Sequence, residues 1–220
     1  VFASIPQKYQ SNQPFFQLAQ LPPELKSAVT YRELQTGEFL FEQGERCHAI
    51  FALESGQIRL QHFTEAGQQI SHYAIYPGQY FAQPILFTDA YLWTAIAEQP
   101  SRVVIIPKAA FLVALKHHAE LALAFIAQLC CYLHKTTILL ELRGMNSARD
   151  RVINYLKYFI TSPEQIVYLD RPLKEIASDL SLTPEALSRT LKQLQTEGVI
   201  IRSRRKIKIL QPIKPFGKQA

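Results

Sequence analysis

Leu173 to Leu194 reads LKEIASDLSLTPEALSRTLKQL. Ile176, Ala177 and Leu180 fall on one face of a first short helix, and Leu187, Leu191 and Leu194 recur at helical spacing on a second, with Ser181 and Leu182 between them. Two amphipathic helices joined by so short a turn describe a helix-turn-helix. Thr183 is placed to cap the second helix. Its hydroxyl can accept an orphan backbone N–H, Pro184 suits the first helical position, and Glu185 meets the positive end of the helix dipole. The apolar underside leaves Pro184, Glu185, Ser188, Arg189 and Lys192 on the outer face, where a DNA major groove can receive them. The same spacing also fits an ordinary packed helix pair with a solvated charged face.

Charge separates the two readings. Residues 147–220 carry 14 Lys+Arg against 7 Asp+Glu, whereas residues 1–146 carry 10 against 11, so the whole excess behind the net +6 lies around the helix pair. A basic excess confined to one end is the electrostatic footprint of a phosphate-binding domain. Past Gly198, which ends the second helix, Val199 to Leu210 reads VIIRSRRKIKIL, apolar and basic residues alternating on either side of Ser203 to Arg205. This is a β-hairpin pattern, and its tip carries Arg202, Arg204, Arg205 and Lys206, with Lys208 further on. Charged edge strands also serve solubility, but they usually mix signs, and here no acid follows Glu197. The hairpin therefore reads as a basic wing beside the helix pair.

The first half of the chain has a different texture. Gly37, Gly44, Gly56, Gly67 and Gly78 separate short runs, Glu38 to Phe41, Ala49 to Leu53, Gln57 to Phe63 and Gln69 to Ile75, a spacing that predicts a β-sandwich or barrel. Val103 to Ile106 supplies a late strand that Pro107 closes, and Ala109 to Leu115 starts a helix. A long helix follows over Ala119 to Leu142, bounded by Gly144. Along it Ala122, Ile126, Leu129, Leu133, Thr136 and Leu140 alternate steps of four and three, the seam by which two helices pair, while Phe125, Leu139 and Leu142 give a second apolar face. A homodimer through Ile126, Leu129, Leu133, Thr136 and Leu140 is expected.

Cys47, Cys130 and Cys131 form neither an even framework nor a metal-ligand spacing, so disulfides are not expected and a reducing cytoplasm is. There is no secretion signal at the start and no apolar run of about 18 residues, so no membrane span is expected. No Ser/His/Asp arrangement, Gly-rich phosphate loop or His-x-His pair stands out, and His62 and His72 are ten residues apart. An enzyme is not expected. Two alternatives stay on the page: a sensory or scaffold protein whose helix-turn-helix binds protein, and a metalloenzyme on a cupin-like barrel.

A small barrel, a long seam helix and a winged helix-turn-helix, in that order, resemble the cyclic AMP receptor and FNR (Crp-Fnr) superfamily of bacterial transcription regulators. Glu185, Ala186, Leu187, Ser188 and Arg189 match its E-x-x-S-R recognition signature, with Leu182 and Thr183 before them as in FNR-type members. Thr36, Gly37 and Glu38, then Gly44 and Glu45, then Leu53 through Gly56 with Ile58, match its β-roll phrases. The resemblance implies an α+β chain with a β-roll sensor over 1–118, a dimerisation helix and hinge over 119–146, and a winged helix-turn-helix over 147–220. It assigns Glu185 to a cytosine amino group, Arg189 to guanine and Ser188 to the neighbouring thymine or backbone, which implies a TGA half-site in double-stranded DNA. Thr183, Lys192, Arg202, Arg204, Arg205 and Lys206 fall to the DNA backbone, and RNA polymerase is the further partner implied.

The effector pocket departs from the family pattern. Cyclic-nucleotide-binding members use a Glu for the ribose and an Arg for the cyclic phosphate, and those positions hold Gln83 and Trp93, followed by Thr94. No Lys or Arg occurs from Leu60 through Ser101, and a desolvated phosphate without a cation is costly. Thr136 and Thr137 do match the hydroxyl pair that meets the base. Tyr73, Tyr76, Tyr80, Phe81, Phe87, Tyr91 and Trp93 crowd the region, as filling or as lining for an uncharged ligand. Three cysteines are too few for an FNR-type iron–sulfur cluster, and His48, His62, His72, His117, His118 and His134 are scattered singly rather than as haem ligands. The expectation is a regulator with no cofactor, not gated by cyclic AMP, whose effector the sequence does not identify.

Overall fold

The computed structural model describes residues 21–160, 164–169 and 172–210, and of residues 70–72 the backbone alone. The outer ends of the first and last expected domains, and the His72 side chain, lie outside the described residues. The chain forms two compact units that divide within one long helix, between Ala127 and Gln128.

The first unit is built on two long antiparallel strands, β3 (Ala49–Phe63) and β6 (Thr94–Pro107). Their pairing runs from Ala49 opposite Pro107 to Gln61 opposite Thr94. Each end of this spine has a different outer neighbour. On β6, β1 (Thr30–Leu34) pairs beside Ser101–Ile105 and β2 (Phe39–Phe41) beside Ala95 and Ile96. On β3, β5 (Tyr80–Phe81) pairs beside Phe51 and Ala52, and β4 (Gln69–Ile75) beside the far half. The sheet thereby rolls around an aromatic core in which Phe41 stacks on Tyr91 at 3.9 Å, on Phe51 at 5.2 Å and on Phe81 at 6.5 Å. A short 3₁₀ helix (Gln83–Phe87) follows β5 and buries Ile85 and Leu86. Helices α1 (Pro23–Ala28) and α2 (Lys108–His117) add Leu25, Phe111 and Ala114 to the core.

The sequence reading placed two strands over 49–53 and 57–63 and one over 103–106. The structure joins the first two and lengthens the last. Gly56, at φ +91°, sits where the register of β3 shifts against β6, so a bulge rather than a turn absorbs the glycine. Gln57 N–H donates to Ser101 Oγ at 3.0 Å, which in turn donates to Gln99 O at 2.7 Å. Tyr73 and Phe87, expected at the pocket, are 52% and 86% exposed, while Tyr80, Phe81 and Tyr91 are core.

Helix α3 (Ala119–Arg143) spans the division. Leu121 and Phe125 belong to the core of the first unit, with Phe125 edge-on to Phe111 at 5.3 Å, and Ile138 and Leu142 to the core of the second. The second unit continues with α4 (Ala148–Tyr158), β7 (Ile166–Tyr168), α5 (Leu173–Asp179), α6 (Pro184–Thr196), β8 (Ile200–Ser203) and β9 (Lys206–Ile209). Ser147 caps α4, accepting from Asp150 N–H at 3.3 Å. Val152, Leu156, Ile176, Ala177, Leu180, Leu187, Leu191 and Leu194 close the helical core, and Ile200, Ile207 and Ile209 seat the sheet on it. That sheet has three strands in the order β7-β9-β8, one more than the hairpin read from sequence.

By length and composition α3 is apolar enough to cross a membrane, which corrects the sequence reading that no such segment exists. Its apolar residues are divided between two protein cores and an exposed stripe. A Cβ at residue 56 would lie 2.2 Å from Ser101 Oγ and 2.5 Å from both Pro100 O and Ser101 Cα, in a backbone conformation L residues avoid. Gly56→Ala is therefore expected to destabilise the first unit by about 2 to 4 kcal/mol, read as a lowered urea midpoint. Gly67→Ala, with open space around its Cβ, should cost only the φ penalty.

Candidate nucleic-acid interface

Helix α5 ends in a Schellman motif: Leu182 N–H donates to Ala177 O at 2.8 Å and Ser181 N–H to Ser178 O at 3.1 Å. Ser181 takes the left-handed position with φ +51°, a conformation that costs a non-glycine residue about 1 to 3 kcal/mol and persists only where its surroundings fix it. This tight turn brings Thr183 to the N-cap of α6, and its Oγ1 accepts from Ala186 N–H at 3.1 Å. Pro184 follows at the first helical position. The far end of α6 closes the same way, with Val199 N–H on Leu194 O at 2.9 Å and Gly198 at φ +70°.

The buried face of α6 is Leu187, Thr190, Leu191 and Leu194. Pro184, Glu185, Ser188, Arg189 and Lys192 are all exposed on the other side, together with Thr183. The wing strands β8 and β9 pair Arg202 with Ile207 and Ser203 with Lys206, leaving Arg204 and Arg205 at the tip. Arg204 sits at φ +37°. Ser188, Lys192, Gln195 and Thr196 of α6 and Arg202 of β8 line one groove between helix and wing. Gln195 and Thr196 were not singled out from the sequence; their helical spacing from Ser188 and Lys192 was the available signal.

Among the described residues, Arg189, Lys192, Arg202, Arg204 and Arg205 form no ion pair. Lys206 lies over the Tyr168 ring at 5.1 Å. The acid at the end of α6 is answered internally. Glu197 meets Arg149 of α4 at 2.6 Å and Gln193 at 2.9 Å, and the Arg149 hydrogen bond holds its carboxyl below the usual range. The outer face of α6 and the wing thus present uncompensated cations, as a phosphate backbone requires.

The positions matched to the effector pocket are scattered in their contacts. Gln83 Nε2 donates to Tyr80 O at 3.0 Å. Thr94 is buried, and its Oγ1 accepts from Gln43 N–H at 3.0 Å. Trp93 lines an open concavity with Gln43, Gly44, His62, Tyr91 and Leu92, in which Gln83 has no part. Thr136 and Thr137 belong to the other unit, where their hydroxyls donate to Tyr132 O and Leu133 O within α3 at 2.9 and 3.0 Å. On α3, Ile126, Leu129, Leu133 and Leu140 are 42–69% exposed, and Thr136 is exposed with them. Among the described residues no group of three or more His, Cys, Asp or Glu is placed to hold a metal ion.

A β-roll followed by a winged helix-turn-helix with an open recognition face defines a DNA-binding transcription regulator. Residues 31–118 match the cyclic nucleotide-binding domain, and residues 138–214 the Crp-like helix-turn-helix domain. DNR from Pseudomonas aeruginosa is 30% identical, over 94% of this chain and 93% of that one, with a TM-score of 0.50. The transcriptional regulator LdrP from Thermus thermophilus is 26% identical over 180 residues, 79% of this chain and 88% of its own length. The cyclic AMP receptor protein of the same organism is 25% identical over 183 residues, 81% and 84% of the two chains. The chain belongs to the Crp-Fnr family of transcription regulators.

Because the Thr183 cap fixes where α6 begins, Thr183→Ala should lower the stability of the second unit by about 1 kcal/mol, and Thr183→Ser should restore it. Thermal unfolding followed by circular dichroism checks both.

Proposed function

We propose that the protein is a homodimer that reads an inverted repeat of TGA-containing half-sites and acts without cyclic AMP. Glu185, Ser188 and Arg189 read bases, and Thr183, Lys192, Arg202, Arg204, Arg205 and Lys206 hold the backbone. The observation that carries the reading is the open face of α6, where all three readers are exposed and the Arg189 guanidinium meets no carboxylate among the described residues. A free guanidinium pairs with guanine O6 and N7, and a carboxylate accepts from cytosine N4, without first breaking an internal bond. Contact with RNA polymerase and a cytoplasmic location belong to the same reading.

The exposed aliphatic stripe of α3 supports the dimer, since Ile126, Leu129, Leu133 and Leu140 repeat at the spacing of a helix-pairing seam and lose hydrophobic stabilisation while they face water. Two-fold symmetry then sets the half-sites about one helical turn, roughly 10 to 10.5 bp, apart.

The polar groups at the effector positions support independence from cyclic AMP. Gln83 is directed to a carbonyl, Thr94 to a backbone N–H, and the nearby Lys108 ammonium to Thr88 O at 2.6 Å. Arg59, at the edge of the Leu60–Ser101 gap in basic residues, pairs with Glu98. These residues do not fit a cyclic phosphate, which needs a free cation to offset its desolvation.

Selection from random duplexes tests the assignment. The wild type should recover an inverted TGA repeat, with or without cyclic AMP, and calorimetry with cyclic AMP should be silent. Arg189→Ala should relax the guanine preference by about 1 to 3 kcal/mol. Arg204→Ala and Arg205→Ala should weaken all sequences alike and flatten the salt slope by about one unit per phosphate lost. Recovery of no palindrome, wing variants that change the motif, or a cyclic AMP isotherm would reverse the corresponding part.

For the dimer, Leu133→Arg should sediment as a monomer. A dimer of unchanged stability would reassign the stripe.

A further inference from the structure

The turn that aims α6 ends in carbonyls that its own Schellman bonds leave over. Those bonds use Ala177 O and Ser178 O; the next three carbonyls are Asp179, Leu180 and Ser181, at the negative end of α5. Two arginines from outside the motif take all three. Arg143 Nε donates to Asp179 O at 2.8 Å, and Arg151 Nη1 donates to Leu180 O at 3.0 Å and Ser181 O at 3.1 Å. Arg151 Nε donates in addition to Met145 O at 2.7 Å. Arg143 lies in the last turn of α3, and Met145 in the short segment between α3 and α4. One guanidinium therefore ties the chain leaving α3 to the left-handed residue that sets where α6 begins.

We propose that Arg151, seconded by Arg143, is a positioning residue for base readout, an inference that rests on the reading of α6 as the DNA-contacting helix. Both cations act through the backbone of the turn rather than by touching DNA. Two residues separate Ser181 from the first residue of α6, so a change in the Ser181 backbone is carried directly into the direction of Glu185, Ser188 and Arg189. The planar fork of the guanidinium reaches carbonyls on two segments at once, which the point charge of a lysine cannot reproduce. Without it α6 keeps its cap, its apolar underside and its charges, but loses the constraint that fixes their placement. The binding that remains is the sequence-independent part.

The test uses the full-length protein, a duplex carrying the selected site and a scrambled duplex of equal length. Arg151→Met is expected to lower the preference for the site about tenfold, roughly the discrimination carried by one base pair. Arg143→Met, which removes a single carbonyl contact, is expected to lower it less. The salt slope on the scrambled duplex should stay at the wild-type value, and circular dichroism should report a folded protein at the assay temperature. On an Arg189→Ala background Arg151→Met should cost less than it does in the wild type, because one of the three readers it positions is gone; a general loss of stability would add in full. Arg151→Lys should recover only part of the preference.

Additive losses, or a salt slope lower by about one unit, would overturn the inference; the latter would make Arg151 a phosphate contact. If Arg151→Met does not fold, Arg143→Met and Arg151→Lys carry the same comparison. A wild type that discriminates while the variants discriminate equally well removes this inference alone. A wild type with no preference removes the reading of α6 beneath it as well.

Discussion

Three demands fall on α3, and an α-helix can meet them together only because its side chains leave in different directions. Leu121 and Phe125 are required by the β-roll core, Ile138 and Leu142 by the winged-helix core, and Ile126, Leu129, Leu133 and Leu140 remain on the surface. The stripe repeats in steps of four and three through Thr136, and the residues buried in each core are other ones, so each unit's own packing does not account for it. The compact units divide between Ala127 and Gln128, inside the helix rather than in a loop, so neither core is complete without its share of α3. Serving two cores accounts for part of the apolar content of this helix.

Within the β-roll, the β3–β6 pairing plays the corresponding part. Both strands change partners midway, and the change is possible because Gly56 opens a bulge where Ser101 supplies the hydrogen bonds that a regular ladder would have made. The enclosed space is filled by rings: Tyr91 stacks on Phe41 while its hydroxyl accepts from His48 and Ala49 N–H at 3.4 Å and donates to Ala49 O at 3.3 Å. Burial of this kind pushes the Tyr91 hydroxyl above its usual range, the two accepted backbone bonds working against the shift. A phenol that remains neutral satisfies buried backbone groups without adding charge, which suits a core more than a binding cavity.

Legibility in the sequence followed the range of the interactions. The helix pair was readable because its apolar period, cap and first-turn proline are all local, and the structure places α5 and α6 accordingly. The wing was readable because alternation is local too. The third strand of its sheet was not: Ile166–Tyr168 is three residues long and pairs across about forty residues of chain with Lys206–Lys208, a contact no short window contains. For the same reason Gly56 looked like a turn, since a glycine at positive φ serves a bulge as well as a turn and only the pairing of a distant strand decides. The aromatics were readable as a group but not in direction; Tyr73 and Phe87 face outward while Phe41 and Phe51, not counted among them, complete the stack.

Charge was legible as an amount but not as an allocation. The basic excess of the last third pointed to DNA, yet its arginines differ in what they can do. Arg149 answers Glu197 and Arg151 answers three backbone carbonyls, whereas Arg189, Arg202, Arg204 and Arg205 meet no internal acid among the described residues. Arg151 still adds to the long-range potential that draws a polyanion in, since a hydrogen bond to a carbonyl leaves the charge in place, whereas Arg149 is offset by the Glu197 carboxylate. Short-range contact is another matter, because a guanidinium already bound to two segments must give up those bonds before it can reach a phosphate. The same residue type thus closes an ion pair at Arg149, stands free of internal acids on the face of α6 and the wing, and at Arg151 binds the turn between the two helices.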